Sequence, residues 1–178
     1  MIMPKKENTV VASAMRYGLV LGLYFIFKFI VVTFSLKFQA LNLVTLAMVI
    51  GIPFLVFQLA KKYVLFNSDN GVTFASLWLF VILTFFYASL PEALITYAYL
   101  QYINPTFLVD QISVFSDMYS QLAEQTDNAT ISELVKSVEE TEIPTAIQYA
   151  FKLIYNNVFV GGIIALIISP ILRVRKAL

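Results

Sequence analysis

YGLVLGLYFIFKFIVVTFSL, Tyr17 to Leu36, decides what kind of molecule this is. Arg16 and Lys37 bound it, and the single charge inside is Lys28. About 20 mostly apolar residues in helical form cross a hydrocarbon core of about 30 Å. A secretory leader would also place Lys5 and Lys6 before an apolar run. This run is longer than the 7–15 residues of a leader's apolar core, however, and no small-residue cleavage site follows it. It reads as a retained transmembrane helix.

Three further stretches qualify. One runs from about Ala40 to Ala60 and stops at Lys61 and Lys62. Another begins near Thr73 and stays apolar to about Ile103, longer than a crossing requires. The last lies within Asn157–Leu172 and ends at Arg173. None alternates with period two, so a transmembrane barrel is excluded and an all-α bundle of four spans is expected. Composition agrees. The 178 residues are 60% hydrophobic and 13% charged, with a mean hydropathy of +0.81. Soluble domains average about 45–50% apolar and about 25% charged. The length fits one membrane domain.

Eight of the twelve basic residues (Lys5, Lys6, Arg16, Lys61, Lys62, Arg173, Arg175 and Lys176) fall on one side of four spans. Lys37, Lys136 and Lys152 fall on the other. Short basic loops stay cytoplasmic, so both termini are expected inside. The large loop, about 104–156, is then extracytoplasmic. It carries Asp110, Asp117, Glu124, Asp127, Glu133, Glu139, Glu140 and Glu142 against Lys136 and Lys152, a formal charge of −6. That balance suits a solvated face, and it also suits docking of a basic partner or a cation.

Within the loop, Asn104-Pro105-Thr106 should end or bend the third helix, because proline lacks the N–H that a continuing helix needs. Leu108, Ile112, Phe115, Tyr119 and Leu122 then recur at helical spacing, opposite Asp110, Asp117 and Gln121. Gln125–Thr130 reads as a turn. Thr130-Ile-Ser-Glu133 has capping-box spacing and opens a short helix with Ile131, Leu134, Val135 and Val138 inward. Pro144 suits the first turn of a final helix. From there to Leu172 is about 43 Å of helix, so the fourth helix should protrude from the bilayer. A small helical cap is expected, its apolar stripes packed on the protruding helix ends. Asn128-Ala-Thr130 matches a glycosylation acceptor, a weak three-residue pattern.

Two charged side chains lie well within the spans, Lys28 and Glu92. Such groups are costly in hydrocarbon and point to function by default. Lys28 lies about 18 Å along the helix from Arg16, and Glu92 about 28 Å from Thr73. Both heights fall in the outer half, so the two can pair. Lys28 can instead snorkel outward, and Glu92 can sit at the interface if its span ends near Leu90. Pro53, Pro91 and Pro170 punctuate three spans, each freeing a carbonyl four residues earlier. Pro91, beside Glu92, is the candidate helix bend. Gly161-Gly162 allows close helix approach. Tyr97, Tyr99 and Tyr102 at one end and Trp78 at the other fit interfacial aromatic belts.

With no cysteine and no histidine, disulfides, thiol nucleophiles, imidazole bases and Cys/His metal sites are ruled out. Phosphate loops, dinucleotide fingerprints and zinc patterns are missing too. No catalytic, cofactor-binding or metal-binding residue is assigned, no cofactor is expected, and no basic field invites nucleic acid. Membrane lipid, a protein partner or a second copy of the chain are the expected company.

Tyr17-Gly18-Leu-Val-Leu-Gly22, Asn70-Gly71-Val-Thr-Phe74, Tyr97-Ala-Tyr-Leu-Gln-Tyr-Ile-Asn-Pro105-Thr-Phe107 and Gly161-Gly162-Ile-Ile-Ala-Leu-Ile-Ile occur in this order. Together they resemble a bacterial family of small four-span membrane proteins known only as a domain of unknown function. The likeness runs over nearly the whole chain. It implies four helices in a bacterial cytoplasmic membrane and brings no activity or catalytic residue. The functional expectation is a non-enzymatic accessory or scaffold subunit that associates through its helices and acidic cap. The alternative is a small oligomeric transporter or channel using Lys28, Glu92 and the Pro91 bend.

Overall fold

The computed structural model describes residues 9–38, 40–67, 71–126, 130–131, 133, 136–137 and 142–172. Five long helices account for most of them. They are α1 (Val10–Ser35), α2 (Leu41–Phe66), α3 (Phe74–Ala98), α4 (Phe107–Thr126) and α5 (Ala146–Leu172). A π-helical turn, Tyr99–Ile103, continues α3. Four helices are long and apolar enough to span a membrane: α1, α2, α3 with its π-turn (30 residues), and α5. The molecule is an all-α, multi-pass membrane protein.

The helix bounds correct the sequence reading at four points, one of them the turn expected over Gln125–Thr130, of which Gln125 and Thr126 belong to α4 and Thr130 is helical. The first span begins seven residues before Tyr17, where the Thr9 hydroxyl accepts from the Ala12 N–H (3.3 Å) and caps α1. The second does not stop at Ala60. Lys61 and Lys62 stay helical, and α2 ends at Asn67, whose side-chain amide donates to the Tyr63 carbonyl (2.8 Å). Charge ends the apolar run but not the helix, since lysine is a good helix former. Pro144 precedes the final helix instead of opening it. Thr145 is the cap: its N–H donates to Gln148 Oε1 (2.9 Å), and the Gln148 N–H returns a long bond to the Thr145 hydroxyl (3.4 Å). Thr145-x-x-Gln148 is a capping box.

The break at Asn104-Pro105-Thr106 is present. Asn104 adopts φ −141°, ψ 84°, and its N–H closes the π-turn on the Tyr99 carbonyl (2.8 Å). A residue before proline is driven out of the helical region by the pyrrolidine ring, so the chain turns here and α4 starts. Of the short helix expected from Thr130, residues Thr130, Ile131, Glu133, Lys136 and Ser137 are helical. Leu134, Val135, Val138 and the acceptor Asn128 lie outside the described residues.

α3 is the axis of the bundle, with α1 packed along one side and α5 along the other; α2 leans mainly on α1. Small residues make those seams. A Cβ on Gly18 would lie 2.6 Å from Tyr87 Cβ and 3.1 Å from the Thr84 carbonyl oxygen. One on Gly22 would lie 3.0 Å from both the Ala88 carbonyl oxygen and Pro91 Cγ. Gly18-x-x-x-Gly22 thus lets α1 lie against the α3 backbone, as small residues do where helices associate in lipid. On the opposite side a Cβ on Gly161 would meet the Phe85 ring at 2.5 Å, whereas nothing lies within 4 Å of one on Gly162. The expected close approach belongs to the first glycine of that pair alone.

α2 is buried only from Met48 to Val64, and Leu43, Leu46, Ile50 and Phe54 are exposed. Beside Pro53, which frees the Val49 carbonyl, an interhelical bond forms one residue earlier. The Tyr24 hydroxyl of α1 donates to the Met48 carbonyl (2.7 Å), not to that of Val49. The cap end holds a second core. Phe29 of α1, Tyr99 of the π-turn and Phe107 of α4 form a triangle of edge-on rings 5.4–6.1 Å apart. Leu100 and Leu108 are buried with them, flanked by Ala146 and Tyr149 of α5. The start of α4 therefore does pack on the helix ends. Further along it, Ile112, Phe115 and Tyr119 are half-buried while Asp117 and Gln121 are exposed.

Candidate functional site

α3 is apolar on nearly every face up to Ser89-Leu-Pro91-Glu92. Proline at 91 removes the donor that would bond the Tyr87 carbonyl; the helix nevertheless continues to Ala98. Gly22 admits the Pro91 ring against α1, and that contact fixes how α3 presents the next residue. Glu92 points into the bundle and is only 2% exposed.

Lys28 reaches it from α1, with Nζ 3.2 Å from Glu92 Oε1. The Lys28 side chain is 19% exposed, and its ammonium lies 4.9 Å from the centre of the Phe25 ring. Phe25 in turn rests on Phe85 of α3 at 5.9 Å between ring centres. The other carboxylate oxygen, Oε2, accepts a hydrogen bond of 2.7 Å from Asn157 Nδ2 on α5. The structure therefore brings Lys28 and Glu92 together beside Pro91, and adds a third residue.

Reading the spans from hydropathy used Asn157 only to mark where the fourth apolar run begins. A usable signal was present, because an amide within a spanning helix lacks a water partner and needs an interhelical one. Which of Asn156 and Asn157 turns inward depends on the rotation of α5, and that is set by Gly161 against Phe85.

Chemically the arrangement is a closed clamp. Both carboxylate oxygens are taken, by donors from two different helices, and the residue is buried. Burying one carboxylate alone would cost several kcal/mol, whereas a paired and hydrogen-bonded one is tolerated. Three cavities at the rim of the bundle are lined by other described residues. One of about 370 Å³ lies between α4 and the start of α5, beside Tyr149 and Lys152. Another of about 400 Å³ lies between the cap ends of α1 and α3, beside Lys37 and Tyr99. The last, about 280 Å³, lies at the opposite end, beside Arg16. No group of three or more acidic side chains that could hold a metal ion occurs among the described residues.

No curated protein and no solved structure matches the chain. A family match covers residues 16–174, from Arg16 in the second turn of α1 to the basic tail after the last span. That range takes in Gly18 and Gly22, the Lys28–Glu92–Asn157 clamp, the Pro105 break and Gly161. The chain belongs to the family described as "Protein of unknown function (DUF4199)".

Proposed function

We propose that this protein is a non-enzymatic accessory or scaffold subunit of a bacterial cytoplasmic membrane. In this reading both termini are cytoplasmic and the α4 cap is extracytoplasmic. The observation that carries it is the closure of the clamp. Glu92 is 2% exposed with both oxygens bound, so the charged residues of the spans tie three helices together and are not displayed to a permeant ion. The surface left for recognition is the acidic cap, whose charge suits a basic partner, together with the unpacked face of α2 (Leu43, Leu46, Ile50, Phe54). Eight basic residues on the opposite side support the orientation.

The test is extraction from the native membrane in mild detergent followed by mass spectrometry. A second protein at fixed stoichiometry, retained by the Lys28→Met, Glu92→Gln double variant, is the expected result. A chain that purifies only with itself and carries an ion flux abolished by that variant overturns the reading. It would establish the second one, a small oligomeric transporter or channel. One observation favours that alternative: the pair sits beside Pro91 and two turns before a π-helical turn, and π-turns recur at functional sites.

A further inference from the structure

The bundle carries a largely apolar cavity with several polar side chains on its wall at the end remote from the cap, between the first turns of α1 and the last turn of α2. Its volume is about 280 Å³. Ser13, Arg16 and Tyr17 line it from α1, and Tyr63 and Asn67 from α2. The Asn67 amide donates one hydrogen bond to the Tyr63 carbonyl. The Ser13 hydroxyl, the Arg16 guanidinium and the Tyr17 and Tyr63 hydroxyls have no hydrogen-bond or ion-pair partner among the described residues. Four unpaired donors on one cavity form a site shaped for an acceptor-rich anion.

Two of the donors are also held in place, while Arg16 is exposed. Tyr63 stacks on Phe80 with ring centres 4.1 Å apart and planes 10° from parallel, and Tyr17 meets the same ring edge-on at 5.7 Å. The two tyrosines therefore have little side-chain freedom left to lose when a ligand binds, which favours affinity. Lys61 and Lys62 lie on the adjoining turn of α2, so the described charged residues around the cavity, these two and Arg16, are basic.

An arginine fork matches phosphate oxygens two at a time. Basic pockets between transmembrane helices at the cytoplasmic surface suit lipid headgroups. The remaining lining points to a lipid over a free anion. Val20 and Phe66 are 49% and 74% exposed at the cavity's edge, and Val20 lies one helical turn, about 6 Å, deeper in the bilayer than Arg16.

We propose that this cavity binds the phosphate of an anionic membrane lipid. Arg16 is its charge partner, Ser13, Tyr17 and Tyr63 are neutral donors, and an acyl chain leaves over Val20 and Phe66. The site is independent of whether the protein scaffolds or transports.

The experiment equilibrates the full chain in detergent with equal amounts of phosphatidylglycerol and phosphatidylcholine and counts retained lipids by native mass spectrometry. Wild type should retain phosphatidylglycerol in preference by about five- to tenfold. Arg16→Gln should lose that preference, and Lys152→Gln, at the cap end, should keep it. Equal retention of the two lipids, or an undiminished preference in Arg16→Gln, overturns the proposal. So does displacement of the lipid by millimolar inorganic phosphate, which would make the ligand a free anion.

A footprint on unmodified protein covers the case in which Arg16→Gln does not fold. Arg16, Arg173 and Arg175 are the chain's three arginines, and phenylglyoxal labelling reads each by peptide mapping. In phosphatidylglycerol nanodiscs Arg16 should be protected more than the two tail arginines, relative to phosphatidylcholine. Equal protection of all three refutes the site.

Discussion

Removing Lys28 should cost this protein more than removing the charge of Glu92, although the two form one ion pair. At 3.2 Å the Coulomb attraction is about 5 kcal/mol for an effective dielectric constant of about 20. Much of it offsets desolvation, and breaking a buried pair from one side leaves a net loss of about 3–5 kcal/mol. Exposure decides which side loses more. Lys28→Met leaves a carboxylate 2% exposed with Asn157 as its remaining donor. Glu92→Gln leaves an ammonium on a long stem that is 19% exposed and can swing outward. The glutamine can still accept from Asn157.

We expect about 3 kcal/mol for Lys28→Met and about 1–2 kcal/mol for Glu92→Gln. The double variant should cost less than the sum of the two by about 1–2 kcal/mol, because contacting residues couple. Equilibrium unfolding in mixed micelles of mild detergent and dodecyl sulfate measures this, with Trp78, the single tryptophan, as the fluorescent probe. Additivity within about 0.5 kcal/mol, or a larger cost for Glu92→Gln, would refute the clamp.

Other consequences are as direct. Gly161→Ala should destabilise by about 1–3 kcal/mol, because the new methyl meets the Phe85 ring at 2.5 Å and overpacks the seam. Gly162→Ala, with open space around it, should be neutral or stabilise by up to about 1 kcal/mol through helix propensity; the same unfolding assay ranks the neighbours, and equal effects would contradict the assigned rotation of α5. Tyr24→Phe removes the hydroxyl that bonds the Met48 carbonyl at 2.7 Å, and should cost about 1 kcal/mol and speed amide exchange in α2 around Pro53. Phe107→Ala empties the ring triangle with Phe29 and Tyr99. It should raise hydrogen exchange across α4 by the equivalent of about 3 kcal/mol while the bundle keeps its unfolding midpoint. A fall in that midpoint would make the cap part of one cooperative unit with the spans.

The readable parts of this chain are those where solvent imposes a pattern. Four apolar runs announce four spanning helices, because backbone polar groups cannot be left unpaired in hydrocarbon. Pro105 marks the end of α3 for an equally local reason. α4 meets water on one side, so its stripe of Leu108, Ile112, Phe115 and Tyr119 could be picked out at helical spacing, and these residues do face inward to differing degrees. The N-terminal limit of α1 and the reach of α2 past Lys61 and Lys62 were misplaced because hydropathy reports where lipid begins, and helices run on beyond it.

Inside the membrane that guidance disappears. α3 is apolar around its whole circumference, as a helix with a lipid face and a protein face of equal polarity must be, and no period shows which residues meet α1 and which meet α5. Composition and spacing alone were enough for an all-α membrane protein carrying two charges at similar depth. Asn157 as the third member of the clamp, Gly161 and not Gly162 as the contact, and the cavity beside Arg16 depend on how each helix is rotated about its own axis. In lipid that rotation is settled by which small and large side chains interlock, a property of pairs of helices that no single segment of the chain contains.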